Sequence, residues 1–296
     1  MVDAVAGDGR GLPVAIVQAC LREGRGGSPT AVVVGTAPPD EECRAVPART
    51  GTSHAVFVSV EDGGPDGPDV SLRFFTAAGE LPACGHGTLA ALALLAEHAG
   101  GGEYRATVRT AAGVFAGRAV RAGGALTASF DIGAVEVRGP AAAGEHDAVL
   151  DALGLAPGGL AGGVRVASTG RPRLLVPVPA RSVLAALAPD ADRLRAACDR
   201  LGLLGCYVHS VPTAGGRLAA RMFAPSIGVP EDIANANSTA CLAAHLARTG
   251  LPGITVDMGD ALGAPAAVTA AVRGNAPGSP VRVGGAAAVA RTVRLR

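Results

Sequence analysis

The chain has 296 residues, which is more than one hydrophobic core usually holds, so two domains of roughly 150 residues each are expected. Its 26 basic residues balance 25 acidic ones, and this near-neutral charge favours a small-molecule partner over nucleic acid or a membrane surface. Every basic residue is arginine, and the absence of lysine excludes a pyridoxal-phosphate Schiff base, a lysine-dependent aldolase and a phosphate-binding P-loop.

The amino-terminal segment, residues 1–8, contains early acidic residues and no basic region followed by an apolar run, so no signal peptide is predicted. The longest apolar run, residues 89–96, is far shorter than the ~20 residues of a membrane-spanning helix. The six cysteines lack close paired spacing, which favours reduced thiols over a zinc knuckle or a redox dithiol. The sequence therefore predicts a soluble, cytoplasmic protein.

Alternating apolar residues predict strands, separated by Gly and Pro, while apolar residues at helical spacing predict a smaller number of helices. The predicted strands are 31–34, 55–60, 70–75, 126–132, 174–178 and 217–223. The predicted helices are 88–98, 182–187, 190–201 and 238–248. This pattern indicates a strand-rich α+β protein, because a doubly wound sheet would need regular alternation of strand and helix.

Two copies of one pattern lie half a chain apart. Each copy has an arginine, an apolar residue and a phenylalanine on a predicted strand, and then a loop and an Ala/Leu-rich helix. Arg73 and Arg221 begin the two copies and are 148 positions apart in the 296-residue chain. Such a repeat predicts two related domains, each wrapping strands around a central helix. The predicted limits are 1–124, completed by the last strand at 283–296, and 125–282.

Small and polar residues precede the main helix of each copy, with CGHGT at 84–88 and NANST at 235–239. A helix amino terminus offers unpaired N–H groups and a partial positive charge. Two such ends facing one cleft would hold a carboxylate and stabilise an enolate-like intermediate. The predicted substrate-binding residues in these segments are Gly85, His86, Gly87, Thr88, Asn235, Asn237 and Ser238.

Cys84 is a candidate base, because the field of a helix amino terminus lowers the pKa of a thiol. His86 and Glu80 supply further titratable groups within a few residues. The alternative interpretation of Cys84 is a small buried hydrophobe, which is the usual role of an unpaired cysteine. Both interpretations stay open at this stage.

The segment LRFFT at 72–76, followed by ELPACGH at 80–86, resembles the signature of the phenazine-biosynthesis isomerase (PhzF-like) family. Further segments resemble that family in the same order, and they cover essentially the whole chain: 27–32, 53–58, 169–170, 221–225 and 231–232. The resemblance implies the diaminopimelate-epimerase-like fold, with two pseudo-symmetric domains, each a barrel-like sheet around a central helix. The active site is then expected between the domains, and Ser28 joins the expected substrate-binding residues.

The same resemblance implies an isomerase that moves a proton in a small carboxylate-bearing metabolite without a metal or an organic cofactor. The family's link to secondary metabolism suggests a role in natural-product or antibiotic biosynthesis. Members of the family often form homodimers, so a homodimer is possible, but the sequence leaves the oligomeric state of this chain open. No metal site is predicted, since the histidines at 98, 146, 209 and 245 lie apart without an HExxH-like spacing.

The chain departs from the family pattern at two places. His54 occupies the position of the family's acid/base glutamate, and a histidine near its ordinary pKa of ~6.5 can also carry a proton. The family's Asp-Pro-Ala-Thr-Gly-Ser appears as DIANAN at 232–237, which keeps Asp232. The candidate catalytic residues are therefore His54, Cys84, Glu80 and Asp232, and the identity of the base stays open.

Racemases of this fold that use two cysteines place one thiol before each helix, but Ala236 stands at the second position here. A shift of a proton along one face of a conjugated system needs a single base, and it is preferred over epimerisation for this reason.

Two other functions compete with an isomerase. GHGTLA at 85–90 fits the G-x-G-x-x-A fingerprint of a nucleotide-dependent oxidoreductase, although the preceding residues make a poor strand. Loss of the glutamate at His54 would also fit a non-catalytic protein that only binds a metabolite.

Overall fold

A computed structural model describes residues 11–64, 67–122, 125–274, 276 and 278–296. Residues 1–8 and the predicted domain limit at 124 lie outside these ranges. The helices are α1 (Asp40–Thr50), α2 (Gly85–Ala99), α3 (Asp147–Leu153), α4 (Arg181–Ala186), α5 (Ala191–Arg200) and α6 (Ala236–Ala247). The strands are β1 (Leu12–Leu21), β2 (Ser28–Val34), β3 (His54–Glu61), β4 (Asp69–Thr76), β5 (Gly79–Leu81), β6 (Glu103–Thr110), β7 (Gly113–Ala122), β8 (Ala125–Ile132), β9 (Glu136–Arg138), β10 (Arg165–Ser168), β11 (Pro172–Val178), β12 (Cys206–Ser210), β13 (Arg217–Ala224), β14 (Val229–Asp232), β15 (Gly253–Met258), β16 (Ala266–Val272) and β17 (Val281–Leu295).

The strands of the first half pair in a ring around α2. The order of pairing is β1, β2, β3, β4, β6, β7, β8 and β17, and β17 pairs again with β1. Helix α2 contacts β1, β2, β3, β6, β7, β8 and β17. The last strand of the chain thus joins the first strand in the sheet that surrounds α2, while the predicted domain limits stay a prediction.

The second half repeats the pairing pattern of the first. Strands β2 and β3 are parallel, β3 and β4 antiparallel, and β4 and β6 parallel. Strands β11 and β12, β12 and β13, and β13 and β15 show the same three relations in the same order. Each half then places a short strand, β5 or β14, directly before its main helix. The repeat predicted from the sequence is therefore visible in the sheet.

Helix α2 is apolar around its whole circumference, and residues 85–96 are all buried, which is the pattern of a helix inside a core. Small residues let strands approach it closely. At Gly117 in β7, a Cβ atom would lie 2.7 Å from Val108 and 2.8 Å from Leu92 of α2. The core thus fixes the position of α2 and of the loop that precedes it.

All six predicted strands and all four predicted helices are present, and the strand-rich α+β class is confirmed. The last strand, predicted at 283–296, is β17, whereas α1, α3 and strands such as β1 were not predicted from the sequence. Among the described residues, the structure contains no helix that is long and apolar enough to cross a membrane.

His209 in β12 predicts a loss of stability in acid. Its side chain is 4% exposed, and its Nδ1 lies 3.1 Å from the Ser210 carbonyl oxygen. Burial lowers the pKa of His209 to about 4. The unfolded chain, with a His pKa near 6.5, binds more protons between those values, so the free energy of unfolding decreases as pH falls from about 6.5 to about 4, by up to about 3 kcal/mol.

The measurement is urea unfolding near neutral pH and near pH ~4.5 for wild type and for His209→Gln, since glutamine keeps a donor but does not titrate in this range. The loss on acidification is expected to be smaller in the variant. The exposed His98, replaced by glutamine, serves as the control. An equal loss in wild type and His209→Gln would contradict the prediction.

Candidate active site

The amino termini of α2 and α6 meet. A Cβ atom built on Gly85 would lie only 2.5 Å from Ala236 Cβ and 3.4 Å from the backbone nitrogen of Asn237. The missing side chain of Gly85 is therefore what lets the two helices touch at their first residues. The two segments that were predicted from the sequence as ligand-binding loops, 84–88 and 235–239, are therefore in contact.

A cavity of about 220 Å³ lies at this junction. Both helix starts line it through Cys84, Gly85, Thr88 and Asn237. Its other lining residues come from the loop before α2, the end of β6 and the β6–β7 turn, β7, β8 and the segment after it, and the segment after β10: Ala83, Thr110, Ala112, Phe115, Phe130, Ile132, Gly133, Ala134 and Thr169. Both halves of the chain therefore contribute to one pocket.

Cys84 and His86 form a buried pair at the start of α2. The Cys84 Sγ lies 3.4 Å from His86 Nε2, and the His86 Nδ1 lies 3.1 Å from the carbonyl oxygen of Ala234. A carbonyl can only accept, so Nδ1 carries the proton and Nε2 faces the sulfur. Cys84 lines the cavity, while His86 stands behind it with 2% of its surface exposed.

His54 packs against the other side of His86. The two imidazole rings are 4.5 Å apart between centroids and nearly perpendicular, at 83°. The Nδ1 of His54 lies 2.8 Å from the Ser53 hydroxyl oxygen. His54 is buried but does not line the cavity, so it touches the site through His86 and Cys84.

The surroundings of the two histidines shift their pKa values in opposite directions. Burial lowers the pKa of His54 well below its ordinary value, and the neighbouring His86 lowers it further. Burial also lowers the pKa of His86, but Cys84, the Asp232 carboxylate and the Ala234 carbonyl outweigh this effect and raise it to about 9. Near neutral pH His54 is thus a neutral base and His86 a cation beside the Cys84 sulfur.

Asp232 and Asn235 organise the start of α6. Asn235 donates from Nδ2 to the Asp232 carboxylate at 3.0 Å, and its Oδ1 accepts from the backbone N–H of Ser238 at 2.8 Å. Asn235 is therefore the side-chain cap of α6. Burial raises the pKa of Asp232, although the charge of His86 and the hydrogen bond from Asn235 oppose this.

The two helix starts differ in capping. The residue before α2, Cys84, makes no side-chain capping hydrogen bond, whereas α6 is capped by Asn235. The first-turn N–H groups of α2 lack intrahelical partners. An anion in the cavity would therefore be held best at the start of α2, beside Cys84.

The structure does not bring Glu80 into this cluster. Glu80 lies on β5 and accepts hydrogen bonds from Arg73 at 2.9 and 2.8 Å in an exposed ion pair. The second half of the chain has the same arrangement, in which Arg221 donates to Glu231 at 2.8 and 2.7 Å. Each arginine also lies over a phenylalanine, 5.0 and 4.9 Å from the ring centroid. The repeated triad explains Glu80 as a structural partner of Arg73.

Three other predicted binding residues are not part of the cavity lining. Gly87 is packed against Cys84 and Phe74, where a Cβ atom would lie 3.1 Å from each. Ser238 is fully buried and its hydroxyl contacts Met222 Sδ at 3.4 Å. Ser28 is also fully buried, outside the cavity lining, and its Oγ has no hydrogen-bond partner among the described residues.

Several lining residues were not predicted from the sequence. Phe115 and Phe130 form an aromatic pair with centroids 5.1 Å apart, and Thr110 lies at the end of β6. Alternation alone does not identify which strand residues face a ligand. Thr169 was part of a segment that matched the family pattern, and that match was the available signal.

The glycines of GHGTLA lie at close contacts of α2 and lack the strand context of a dinucleotide-binding unit. They follow β5, a three-residue strand that pairs antiparallel with β4, whereas a dinucleotide-binding unit opens with a longer parallel strand. Gly85 gives room to Ala236 of α6, and Gly87 gives room to Phe74.

A family model described as phenazine biosynthesis-like protein (PhzC-PhzF) matches residues 17–292. An uncharacterized isomerase from Deinococcus radiodurans is 34% identical over 245 residues, covering 74% of this chain and 75% of that protein. The trans-2,3-dihydro-3-hydroxyanthranilate isomerase of Pseudomonas fluorescens is 31% identical over 186 residues and 62% of each chain. Alignments of this chain thus span about 62% of the length of several curated relatives.

A crystal structure of a PhzF-family phenazine biosynthesis protein from Bacillus anthracis superposes with a TM-score of 0.82, covering 97% of this chain and all of that chain at 19% identity. That likeness shows the fold. The chain therefore has the strand-rich fold of PhzF-family proteins. It belongs to the phenazine biosynthesis-like (PhzC-PhzF) family.

Proposed function

We propose that this chain is an isomerase that moves a proton within a small carboxylate-bearing metabolite, using its own side chains as acid and base. The observation that carries the proposal is the position of Cys84, which lines a cavity at both helix starts and pairs with buried His86. Membership of the PhzC-PhzF family and the isomerase names of its relatives support the same reaction class.

Cys84 is the group that exchanges the proton with the substrate. Among the described residues that line the cavity, it alone has a titratable side chain. The adjacent His86, with its pKa raised to about 9, stabilises the thiolate as a neighbouring cation and can return a proton to the sulfur. Asp232 acts behind this pair by raising the pKa of His86, and His54 packs against the His86 ring.

The reaction begins when the Cys84 thiolate removes a proton from carbon and leaves an enolate-like anion conjugated with the substrate carboxylate. The unpaired N–H groups at the start of α2 stabilise the developing charge. The Cys84 thiol then gives the proton back to another carbon on the same face. One thiol suffices for this shift, and Ala236 offers no second base at the start of α6.

The cavity favours a small unsaturated substrate. Its volume of about 220 Å³ is below that of pockets for drug-sized ligands. Phe115 and Phe130 give it an aromatic wall. The name of the Pseudomonas fluorescens relative contains an anthranilate-type substrate. Such a substrate fits this description, because it is a small ring that carries a carboxylate. A role in natural-product biosynthesis follows from this proposal.

The test is proton exchange at carbon. Purified protein is incubated in deuterated water with trans-2,3-dihydro-3-hydroxyanthranilate and with other small unsaturated amino acids and cyclic imino acids, and products are followed by NMR and mass spectrometry. Catalysed isomerisation with deuterium at a carbon position is expected for at least one compound. Binding without exchange would identify a non-catalytic metabolite-binding protein and contradict the proposal.

The negative charge of Asp232 is expected to affect the rate of the same reaction through His86. Asp232→Asn keeps the shape of the side chain but removes the negative charge that supports the His86 cation. A decrease in kcat/KM of about 10- to 100-fold is expected, with the basic limb of the pH profile moved to lower pH.

The matched control for Asp232→Asn is Glu80→Gln, which removes a carboxylate from the exposed pair with Arg73. Its kcat/KM is expected to stay within about threefold of wild type, since surface ion pairs contribute little. Equal losses in the two variants would show that Glu80 also belongs to the proton path.

A further inference from the structure

Three side chains with metal-ligating atoms converge in the buried cluster. One ring nitrogen each of His54 and His86 and the Cys84 Sγ all lie within 4.8 Å of one another. Among the described residues, no other group of three such side chains is this close. Two imidazoles and a thiolate are the ligand types that Zn²⁺ prefers in proteins.

The histidines are held in the manner of metal ligands. The Nδ1 of His86 donates to the Ala234 carbonyl at 3.1 Å, and the Nδ1 of His54 lies 2.8 Å from the Ser53 hydroxyl. Each contact fixes the ring and leaves Nε2 for coordination. Histidines that bind metal ions almost always have such a partner on the second ring nitrogen.

The distances fit a tetrahedral ion with little movement. Bonds of about 2.0–2.3 Å to Zn²⁺ place neighbouring nitrogen and sulfur ligands roughly 3.3–3.7 Å apart. The Cys84 Sγ and His86 Nε2 are already 3.4 Å apart. The separations of up to 4.8 Å within the trio require a shift of about 1 Å in one side chain.

We propose that His54, Cys84 and His86 form a three-ligand Zn²⁺ site whose fourth position is reached from the cavity. Cys84 lines that cavity, which gives the ion a route to the buried nitrogens. Binding forms a Zn–S bond and two Zn–N bonds and releases to solvent the proton that Cys84 Sγ and His86 Nε2 share, which stands on His86 Nε2 when the sulfur is a thiolate. The third ligand exists because His54 stands where the family resemblance places a glutamate.

The ion and the proton-transfer reaction compete for the same sulfur. A Zn²⁺-bound thiolate is much less basic, so Zn²⁺ is expected to inhibit the isomerase, and a chelator is expected to restore activity. This consequence depends on the proposed function. Binding of the ion does not, and the two are measured separately.

The test uses the full chain, first stripped with a chelator and then titrated with Zn²⁺ in a calorimeter and with Co²⁺ in a spectrophotometer. One ion per chain is expected, and Co²⁺ should give the near-ultraviolet charge-transfer band of a cobalt–thiolate bond. Zn²⁺ should also raise the Tm of the wild-type protein, because it binds the folded chain.

Three variants locate the site. His54→Gln should weaken Zn²⁺ binding by about 100-fold or more, and Cys84→Ser should remove the cobalt–thiolate band. Cys198→Ser is the matched control, since Cys198 and Cys206 are a second buried thiol pair with sulfurs 3.9 Å apart. It should leave both readouts unchanged. Far-ultraviolet circular dichroism without metal shows whether each variant is folded.

Several results would overturn the proposal. One is a wild-type protein that binds no Zn²⁺, and another is a His54→Gln variant that binds Zn²⁺ as tightly as wild type does. A cobalt–thiolate band that disappears in Cys198→Ser but persists in Cys84→Ser would place the site elsewhere. An active isomerase that binds no Zn²⁺ would refute this inference alone. A protein that binds Zn²⁺ but catalyses no exchange would refute the proposed function alone.

Discussion

Cys84→Ser is expected to lower kcat by about a thousandfold, within the range that general acid–base catalysis supplies, while the protein stays folded. A serine hydroxyl can keep a hydrogen bond to His86, but it is far less acidic than a thiol and forms no useful anion near neutral pH. The loss should appear in both product formation and deuterium exchange, because both need the proton to leave carbon.

Cys43→Ser is the matched control for this substitution. Cys43 is also buried, but it lies on α1 and contacts the Pro38 carbonyl oxygen at 3.2 Å, away from the cavity. The activity of Cys43→Ser is expected to stay near that of wild type. Thermal unfolding of both variants separates a catalytic loss from a loss of fold. If Cys84→Ser keeps more than about a tenth of wild-type activity, Cys84 is not the base.

The alternative base is His54, and the same assay distinguishes it. His54 does not line the cavity, so His54→Gln is expected to reduce activity less than Cys84→Ser. A larger loss of activity in His54→Gln would indicate that His54 is the base, since the family resemblance places the acid/base residue at this position. The structure favours Cys84 because it is the group a substrate can touch.

Alternation of apolar and polar residues identified strands that expose one face. The segment 126–132 alternates clearly and is part of β8, where Leu126, Ala128 and Phe130 are buried between more exposed residues. β1 was missed because it is buried on both faces along much of its length, so its residues do not alternate. β17 was predicted as the last strand, at 283–296, although a central run of Gly and Ala interrupts its alternation. α1 was missed because it is short, charged and contains Pro47.

The two helix starts could be located from sequence, since their small polar residues and the repeat both mark them. The contacts between them could not. His86 meets the Ala234 carbonyl across 148 positions, and only the packed fold brings these residues together. Glu80 shows the converse case, because it is close to Cys84 in sequence but lies outside the cavity lining. The β4–β5 pairing places Glu80 opposite Phe75, next to Arg73.

Gly85→Ala tests whether the contact between the helices creates the site. The added Cβ would lie 2.5 Å from Ala236 Cβ, whereas carbon atoms pack at about 3.5–4.0 Å. The two helix starts must therefore separate by roughly 1 Å, and a misplacement of that size can cost about 100-fold in rate. We expect kcat/KM to fall by about that factor.

The effect on stability should be smaller than the effect on activity. Overpacking costs about 1–3 kcal/mol, but alanine is favoured over glycine within a helix by up to about 1 kcal/mol, and this partly offsets the loss. Gly102→Ala is the matched control, because no atom lies within 4 Å of its added Cβ. Steady-state kinetics and thermal unfolding of both variants measure the two effects.

The decisive comparison is the double variant Gly85→Ala/Ala236→Gly, which moves one Cβ from α6 to α2 and leaves a single methyl group at the contact. If the helix contact sets the geometry of the cavity, the second substitution restores kcat/KM to within about tenfold of wild type, and the two changes are strongly non-additive. If the losses simply add, Gly85 is needed for another reason, such as close approach of its backbone to the substrate. The two helix starts would then contribute to the site separately, and their contact would only stabilise the fold.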